Sequence, residues 1–358
     1  MSARIPYEPP TRIKLRAAAA PNSRAKTGGQ GARISLELGS GGRLMRDFLR
    51  RHILASFRSP LLRDLPDAAA LKAGIAFTTD AYVVDPLFFP GGDIGRLAVN
   101  GTVNDLVVSG AVPQSLSLAL ILEEGLAQDV LKKILSSIKS AAAEACVEIV
   151  TGDTKVVRQG QVDKMFIVTS GVGKILARPA PAKVKPGDAV IVTGNLGDHS
   201  LAVLLARGDF SLSSKVKSDC APLRFLLPLW KQGALWMRDI TRGGLATILS
   251  ELAERLPYSV MIEEEKIPLS KPVRAAAELL GVDPLYLACE GRAVLVVPAH
   301  KAKTAVKALR RHALGRRAAV IGRVENKVGK PGELLLATLA GGLRRLEPLT
   351  SELLPRIC

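Results

Sequence analysis

The chain has 358 residues, 47% of them apolar and 4% aromatic, and a formal net charge of +17. That length exceeds one ordinary domain and suits two, and the apolar share excludes a disordered chain and points to aliphatic cores. No apolar run reaches the ~18 residues of a membrane span. Residues 1–33 lack the apolar stretch of a secretory signal, and four scattered cysteines without a CxxC argue against a disulfide framework or a zinc site, so a reduced cytoplasmic protein is expected.

Residues 1–33 carry seven Lys/Arg against one Glu and are rich in Pro, Ala and Gly, which predicts a flexible basic extension. Ala32–Leu36 alternates like a strand, Gly39-Ser40-Gly41-Gly42 forms a loop, and Leu44–Ile53 has helical spacing. Strands are predicted at Gly74–Thr79 and Tyr82–Val84, a helix over Asp93–Ser109, and a buried strand over Ser115–Leu122. An amphipathic helix spans Ala127–Cys146 with Val130, Ile134 and Ile138 on one face, and strands follow at Glu148–Thr151 and Met165–Gly171. Two prolines in Ala177–Ala182 break the pattern, and Lys185-Pro186-Gly187-Asp188 turns into a strand at Ala189–Thr193, so a domain boundary falls here.

The second half continues with a glycine loop at Gly194–Gly197, a helix, a connection through Asp219-Cys220-Ala221-Pro222 and another helix. The loop Arg238–Gly244, a helix over Leu245–Arg255 and a strand at Ser259–Glu263 come next. Then follow a helix over Pro272–Leu280, a strand at Ala293–Pro298, a helix over Lys301–His312, and strands at Ala318–Val324 and Glu333–Ala337. The basic cluster Lys301, Lys303, Lys307, Arg310, Arg311, Arg316 and Arg317 is expected to be a solvated helix face. No aromatic residues interleave with it, so no nucleic-acid platform is expected. Gly341–Cys358 reads as a polar tail that could span roughly 50–60 Å when extended.

Four acids sit in small or apolar surroundings at turns after strands: Asp67, Asp80, Asp105 and Asp153. Any one of them could be a turn residue or an N-cap. As a set, carboxylates in such settings need a partner, and a hard divalent cation is the natural one. Gly39, Gly41 and Gly42 would let backbone N–H groups approach a phosphate. Together with Lys155, these residues point to a magnesium–nucleotide site. Arg238–Leu245 places two glycines before a helix and offers another phosphate contact. Glu290, after the apolar Leu287-Ala288-Cys289, suits a raised pKa and proton transfer. Cys358, in Pro355-Arg356-Ile357-Cys358, is either an idle thiol or one that can be loaded by another protein and swung into a pocket.

Several stretches carry a resemblance: Gly39–Gly42, Thr78-Thr79-Asp80, Pro86–Gly95, Gly101–Ser109, Ile121–Gly125, Thr151–Val156, Ser218–Leu223, Asp239–Leu245, Asp283–Gly291 and the closing Pro-Arg-Ile-Cys. In this order they resemble the ATP-dependent PurM-like superfamily and, within it, the HypE family, the carbamoyl dehydratases of nickel–iron hydrogenase maturation. The resemblance implies an α+β, two-domain fold: a basic extension over 1–32, a β-rich ATP-binding and dimerising domain over 33–178, an α/β domain over 186–340, and a mobile tail over 341–358. It implies a homodimer with a shared barrel, using ATP and Mg²⁺. Asp67, Asp80 and Asp153 would hold the metal; Gly39, Ser40, Gly41, Gly42, Asp80, Asn104, Asp105, Asp153 and Thr154 would bind the nucleotide. Cys358, Glu290 and Lys155 would be catalytic. A HypF-type enzyme would load a carbamoyl group on the Cys358 thiol, ATP-driven dehydration would give a thiocyanate, and a HypC–HypD-type iron scaffold would receive the cyano group. The family commonly has a His where this chain has Leu38, and tandem acids where it has Pro66-Asp67. Selenophosphate synthetase, aminoimidazole ribonucleotide synthetase and thiamine-phosphate kinase share the scaffold. The first needs a reactive Cys or selenocysteine near its N-terminus, whereas the first Cys here is Cys146; the other two give no reason for the closing motif. A nucleotide-binding scaffold whose tail only docks a partner is the non-enzymatic alternative.

Overall fold

The structure, a computed structural model, describes residues 33–39, 41–57, 59–208, 214–326, 328–350 and Ile357. It divides into residues 1–35 and 36–358. In the first unit the described Arg33–Ser35 have no regular structure, and the second opens with a 3-10 turn at Leu36–Gly39. The strand expected over Ala32–Leu36 therefore does not form where it can be followed. Ile34 and Leu36 are 74% and 67% exposed, and alternation without a neighbouring strand gives a strand neither hydrogen bonds nor a surface to pack on.

The second unit begins with helix α1 (Arg43–Phe48), continued by a wider π-type turn over Leu49–Leu54. Then come strands β1 (Ala69–Ala70), β2 (Ile75–Tyr82), β3 (Phe88–Phe89) and β4 (Gly92–Asp93), helix α2 (Ile94–Val108), β5 (Ala111–Glu123), α3 (Gln128–Glu144), β6 (Glu148–Val157) and β7 (Met165–Ile175). β1, β2, β7, β5 and β6 form a five-stranded sheet in that order. Only β5 and β6 are parallel, because α3 provides the crossover between them. Asp93 starts α2 by accepting hydrogen bonds from the N–H groups of Gly95 and Arg96. Thirteen of the helix's fifteen residues are buried, as the apolar and small residues around its whole circumference require. It packs on β2, β5 and β7 and against α3, whose Ile134 and Ile138 face it as predicted. Truncating one such fully buried aliphatic side chain to Ala costs about 2–5 kcal/mol. Elsewhere on this sheet Ile75, Phe77 and Val172 are exposed, and β6 is exposed along nearly its whole length.

The remaining elements are β8 (Ala189–Val192), α4 (Asp198–Arg207), α5 (Leu227–Lys231), β9 (Trp236–Asp239), α6 (Gly244–Ala253), β10 (Ser259–Glu263), α7 (Lys271–Leu280), β11 (Ala293–Val297), α8 (Ala302–Arg310), β12 (Ala319–Glu325), β13 (Leu334–Ala337) and β14 (Leu343–Leu346). Seven strands form a second sheet, ordered β14-β13-β10-β12-β8-β11-β9. The unbroken apolar run of β8 follows from burial on both faces. Val190 and Val192 join Leu245, Leu249 and Leu252 of α6, whereas Ala189 and Ile191 join the core containing Ala302, Ala305 and Leu309 of α8. That second core also holds α2 and α3, and the Trp230 indole N–H donates to the Val107 carbonyl at 2.9 Å. Lys303, Lys307, Arg310 and Arg311 form the outward face of α8, as expected.

Two expectations are corrected. The loop predicted from Arg238 begins later, because Arg238 and Asp239 close strand β9, paired with Val294 and Ala293 of β11. The tail predicted from Gly341 begins later too. Leu343–Leu346 pairs antiparallel with β13, burying Leu346, and the Leu349 carbonyl accepts from Arg43 N–H at 2.8 Å. Without β14, β13 would present an edge of unpaired backbone groups, and the Leu-Arg-Arg-Leu spacing supplies a strand to cover it. No helix among the described residues is long and apolar enough to cross a membrane.

Candidate active site

Four separate segments bring acids to one cavity. The end of β2 carries Asp80 and Tyr82, the middle of α2 carries Gly101 and Asp105, the end of β9 supplies Asp239 with Thr241 and Arg242 just beyond, and the segment before β11 supplies Glu290. The space they enclose is about 40 Å³. It holds an ion or a water, whereas pockets for drug-sized ligands run to several hundred Å³. Gly101 is required here: a Cβ at that position would lie 2.3 Å from the Tyr82 hydroxyl, which donates to Asp80 Oδ2 at 2.9 Å.

Asp67, Asp105 and Asp239 each offer an oxygen within 4.8 Å of the other two. Burial, reinforced by the neighbouring Asp67, pushes Asp239 up to about 8. Burial, then Asp239, Asp67 and Asp80, holds Asp105 well above the usual carboxylate range. Burial also raises Asp67 and Asp80, against the lowering pull of Arg238 and Arg242 respectively. The Arg238 Nε–H lies 2.8 Å from Asp67 Oδ1, and this guanidinium is the cluster's near counter-charge. The Thr78 hydroxyl is 2.6 Å from the Asp67 carbonyl and 2.9 Å from Asp105 Oδ2, so its single proton serves one of them. Glu290 is also buried; burial, Asp239 and Asp219 lift it well above normal, and its Oε1 has no hydrogen-bond partner. Several buried oxygens, elevated pKa values and an orphaned carboxyl atom fit a hard divalent cation, which would lower the cost of ionising them all.

The residues singled out in the sequence separate into five groups. Asp67, Asp80, Asp105 and Glu290 come together. The loop of Gly39, Gly41 and Gly42 lies against the rim: Arg242 Nη1 donates to the Gly39 carbonyl at 3.2 Å, and a Cβ at Gly41 (φ +77°) would lie 2.6 Å from Arg242 Cβ. Asn104 is buried, and its amide is committed to the protein. Nδ2 donates to the carbonyls of Ala221 and Glu290, and Oδ1 accepts from Leu223 N–H at 2.8 Å. It braces the Glu290 segment instead of facing a ligand, a correction to the nucleotide-binding expectation. Asp153, Thr154 and Lys155 are exposed on β6, away from the cavity. Asp80 pairs with Thr169, Thr169 with Leu118, and Leu118 with Gly152, so β6 stands three strand spacings, roughly 14 Å, from Asp80. Asp153 cannot share a cation with Asp67 and Asp80 of its own chain; it pairs with Lys155 at 3.1 Å and is held below the usual range by it. Ser40 and Cys358 lie outside the described residues.

Asp239 and Tyr82 belong to the site and were not assigned to it in the sequence. The signal for Asp239 was present: an acid closing an apolar strand just before a Gly-Gly helix start, the setting that marked Asp80. Ile357 is a further arrival. It bridges Val84, two residues beyond Tyr82, its side chain is buried, and its carbonyl lies 2.6 Å from His199 Nε2.

Residues 66–175 match the model of the AIR synthase related protein N-terminal domain, and 185–331 that of the C-terminal domain. The sheet pair and the acid cavity between their strand ends thus define a member of this PurM-like class. The chain is 46% identical over 336 residues to the carbamoyl dehydratase HypE of Rhodobacter capsulatus, covering 91% of this chain and 98% of that protein. It is 41% identical over 337 residues to that of Escherichia coli, covering 91% and 99%. The HypE of a HypE–HypF complex superposes with a TM-score of 0.80 at 40% identity, covering 84% of this chain and 99% of that one. A HypE solved in complex with ATP superposes with 0.77 at 43% identity, covering 91% and 100%. Thiamine monophosphate kinase from Aquifex aeolicus, at 21% identity and a TM-score of 0.65, shares the fold alone. The chain belongs to the HypE family of carbamoyl dehydratases.

Proposed function

We infer that this protein uses ATP to dehydrate a carbamoyl group carried on the Cys358 thiol, giving a thiocyanate that supplies cyanide to the iron of a hydrogenase. One observation carries the reading: Ile357, the residue before Cys358, bridges Val84, two residues along the chain from the cavity-lining Tyr82, and its carbonyl meets His199 Nε2 at 2.6 Å. Cys358 lies one residue, about 3.8 Å of chain, beyond that seat. Asp67, Asp105 and Asp239 would hold Mg²⁺, with Asp80 beside them, and ATP with the ion would supply phosphoryl transfer to the carbamoyl oxygen, making it a leaving group. Glu290 is the proton acceptor. A carboxylate whose pKa is raised by burial is, once ionised, a stronger base than an exposed one, and its unpartnered Oε1 is available for the proton of the carbamoyl nitrogen. The C–O bond breaks as phosphate leaves, one nitrogen proton passes to Glu290 and the other to the departing phosphate, and the nitrogen lone pair completes the C≡N bond.

The cavity is too small for a nucleotide, so the remainder of that site lies elsewhere. A second copy of the chain supplies it in this reading. The exposed β6 and the apolar side chains Ile149, Val150, Val156, Phe77 and Val172 are the surface such a copy would cover. A homodimer joined there would carry Asp153, Thr154 and Lys155 toward the other subunit's acids, with Lys155 neutralising phosphate. The Gly39–Gly42 loop covers the phosphates from the Arg242 side. A HypF-type enzyme loads the thiol and a HypC–HypD-type scaffold unloads it, in the cytoplasm. The test is mass spectrometry of the C-terminal peptide after carbamoylation: Mg-ATP removes the mass of one water from it. An unchanged mass with ATP demonstrably bound refutes the dehydratase reading.

A further inference from the structure

His199 is fully buried in the first turn of α4, and burial lowers its pKa. As a buried imidazole it could be an ordinary core residue, but its partners are specific. A carbonyl only accepts, so the 2.6 Å contact fixes the proton on Nε2, donated to the Ile357 oxygen. Nδ1 must then accept, and the Ser218 hydroxyl, 2.8 Å away, donates to it. Ser218 is itself placed on both sides. Its oxygen accepts from Cys220 N–H at 3.0 Å, and its own N–H donates to the Pro90 carbonyl at 2.7 Å. Gly91 permits that approach, since a Cβ there would lie 2.8 Å from Ser218 backbone atoms. Phe89 meets the imidazole edge-on, with centroids 5.4 Å apart. The segment that orients the ring also holds the reacting acid: Asp219 Oδ1 accepts from Glu290 N–H at 2.9 Å.

We propose that His199, with its tautomer set by Ser218, is a positioning residue that grips the backbone carbonyl of Ile357 and so fixes the register of the Cys358 thiol relative to Glu290. The inference deepens the dehydratase reading and rests on it. Three grips hold the residue: the backbone bridge to Val84, the buried isoleucine side chain, and the imidazole. The bridge and the buried side chain set which face Ile357 presents, and the imidazole adds a directional hydrogen bond to its carbonyl that holds this one register. The imidazole reads main chain, so it acts equally on free and carbamoylated tails, and it opposes the loading step, for which the thiol must be presented outside.

The test uses the full-length protein with His199→Ala and His199→Gln, the latter keeping an N–H near the Nε2 position. Iodoacetamide labelling of Cys358, followed on its own peptide and separately from exposed Cys146, should be about tenfold faster in His199→Ala and within about threefold of wild type in His199→Gln, as expected for a lost and a retained hydrogen bond. Loading by the carbamoyl-transferring enzyme should be as fast as wild type or faster in both. Single-turnover dehydration of the loaded tail should slow about tenfold in His199→Ala and recover in His199→Gln. Labelling of a folded His199→Ala at the wild-type rate overturns the proposal. So does a slowed dehydration that Gln fails to restore. Should His199→Ala not fold, Ser218→Ala takes its place: it leaves the imidazole but frees its tautomer, and unchanged Cys358 labelling there overturns the proposal equally. A wild-type protein that never dehydrates its loaded tail removes the functional reading, while the labelling rates still decide the docking.

Discussion

The buried acids and the exposed Asp153–Lys155 pair look alike as residue types, yet they do opposite work in the fold. Asp67, Asp105 and Asp239 lie within 4.8 Å of one another with one near guanidinium, and burial drives their pKa values up. Asp153 meets solvent and one lysine, and its pKa goes down. The first group is costly to ionise until a cation joins it. The second is comfortable alone and contributes little to stability. Within one chain the sheet holds β6 three strands from Asp80, so the site proposed above draws its two kinds of acid from two subunits.

Variants can break that contrast at either end. The largest effect is expected from Glu290→Gln, which removes the proton acceptor: dehydration of the loaded tail should fall about 10²–10⁴-fold with loading intact, and wild-type turnover would release Glu290 from the mechanism. Asp239→Asn comes next. Turnover should drop on the order of 10²–10³-fold, while the metal-free protein melts no lower than wild type, since one buried like charge is gone, and Mg²⁺ no longer raises the melting temperature. A melting temperature lowered without metal would mean that Asp239 is a structural anchor. Lys155→Ala should leave the melting temperature unchanged and lower turnover. When mixed with Asp239→Asn subunits under exchange, it should restore about a quarter of wild-type activity, because half the dimers then hold one intact site. No restoration on mixing would place Lys155 and Asp239 in the same site of one chain, or Lys155 in none.

The smallest effect concerns acid. The folded-state pKa of His199 lies below the ordinary ~6.5, chiefly through burial, with Asp219 and the Ile357 carbonyl opposing. Its contribution is therefore whole above 6.5 and lost as pH falls through that value toward the depressed one. Between pH 7 and pH 5 wild type should lose more stability than His199→Gln in denaturant titrations; parallel losses would show that the folded imidazole takes up its proton as readily as the unfolded one.

Much of the element order was legible, for a local reason. Asp93–Ser109 and Ala127–Cys146 carry helical periodicity, and Ala189–Thr193 is an apolar run ended by glycine, signals contained in a few residues each. The acids at strand ends stood out in the same way, since a carboxylate among apolar neighbours is conspicuous wherever it occurs. The strand that carries Asp239 is not legible locally, because it exists only through its pairing with β11. The partners of the Asn104 amide are hidden for a similar reason: they are backbone groups more than a hundred residues away. Composition and motif thus established the protein's family, its two-part plan and its stock of acids, because those depend on residue identity and short spacing. Which acids share a cavity, which stand on an exposed strand, and where Ile357 comes to rest were settled by strand order and by burial. Both are long-range outcomes of packing, and no local stretch of chain encodes them.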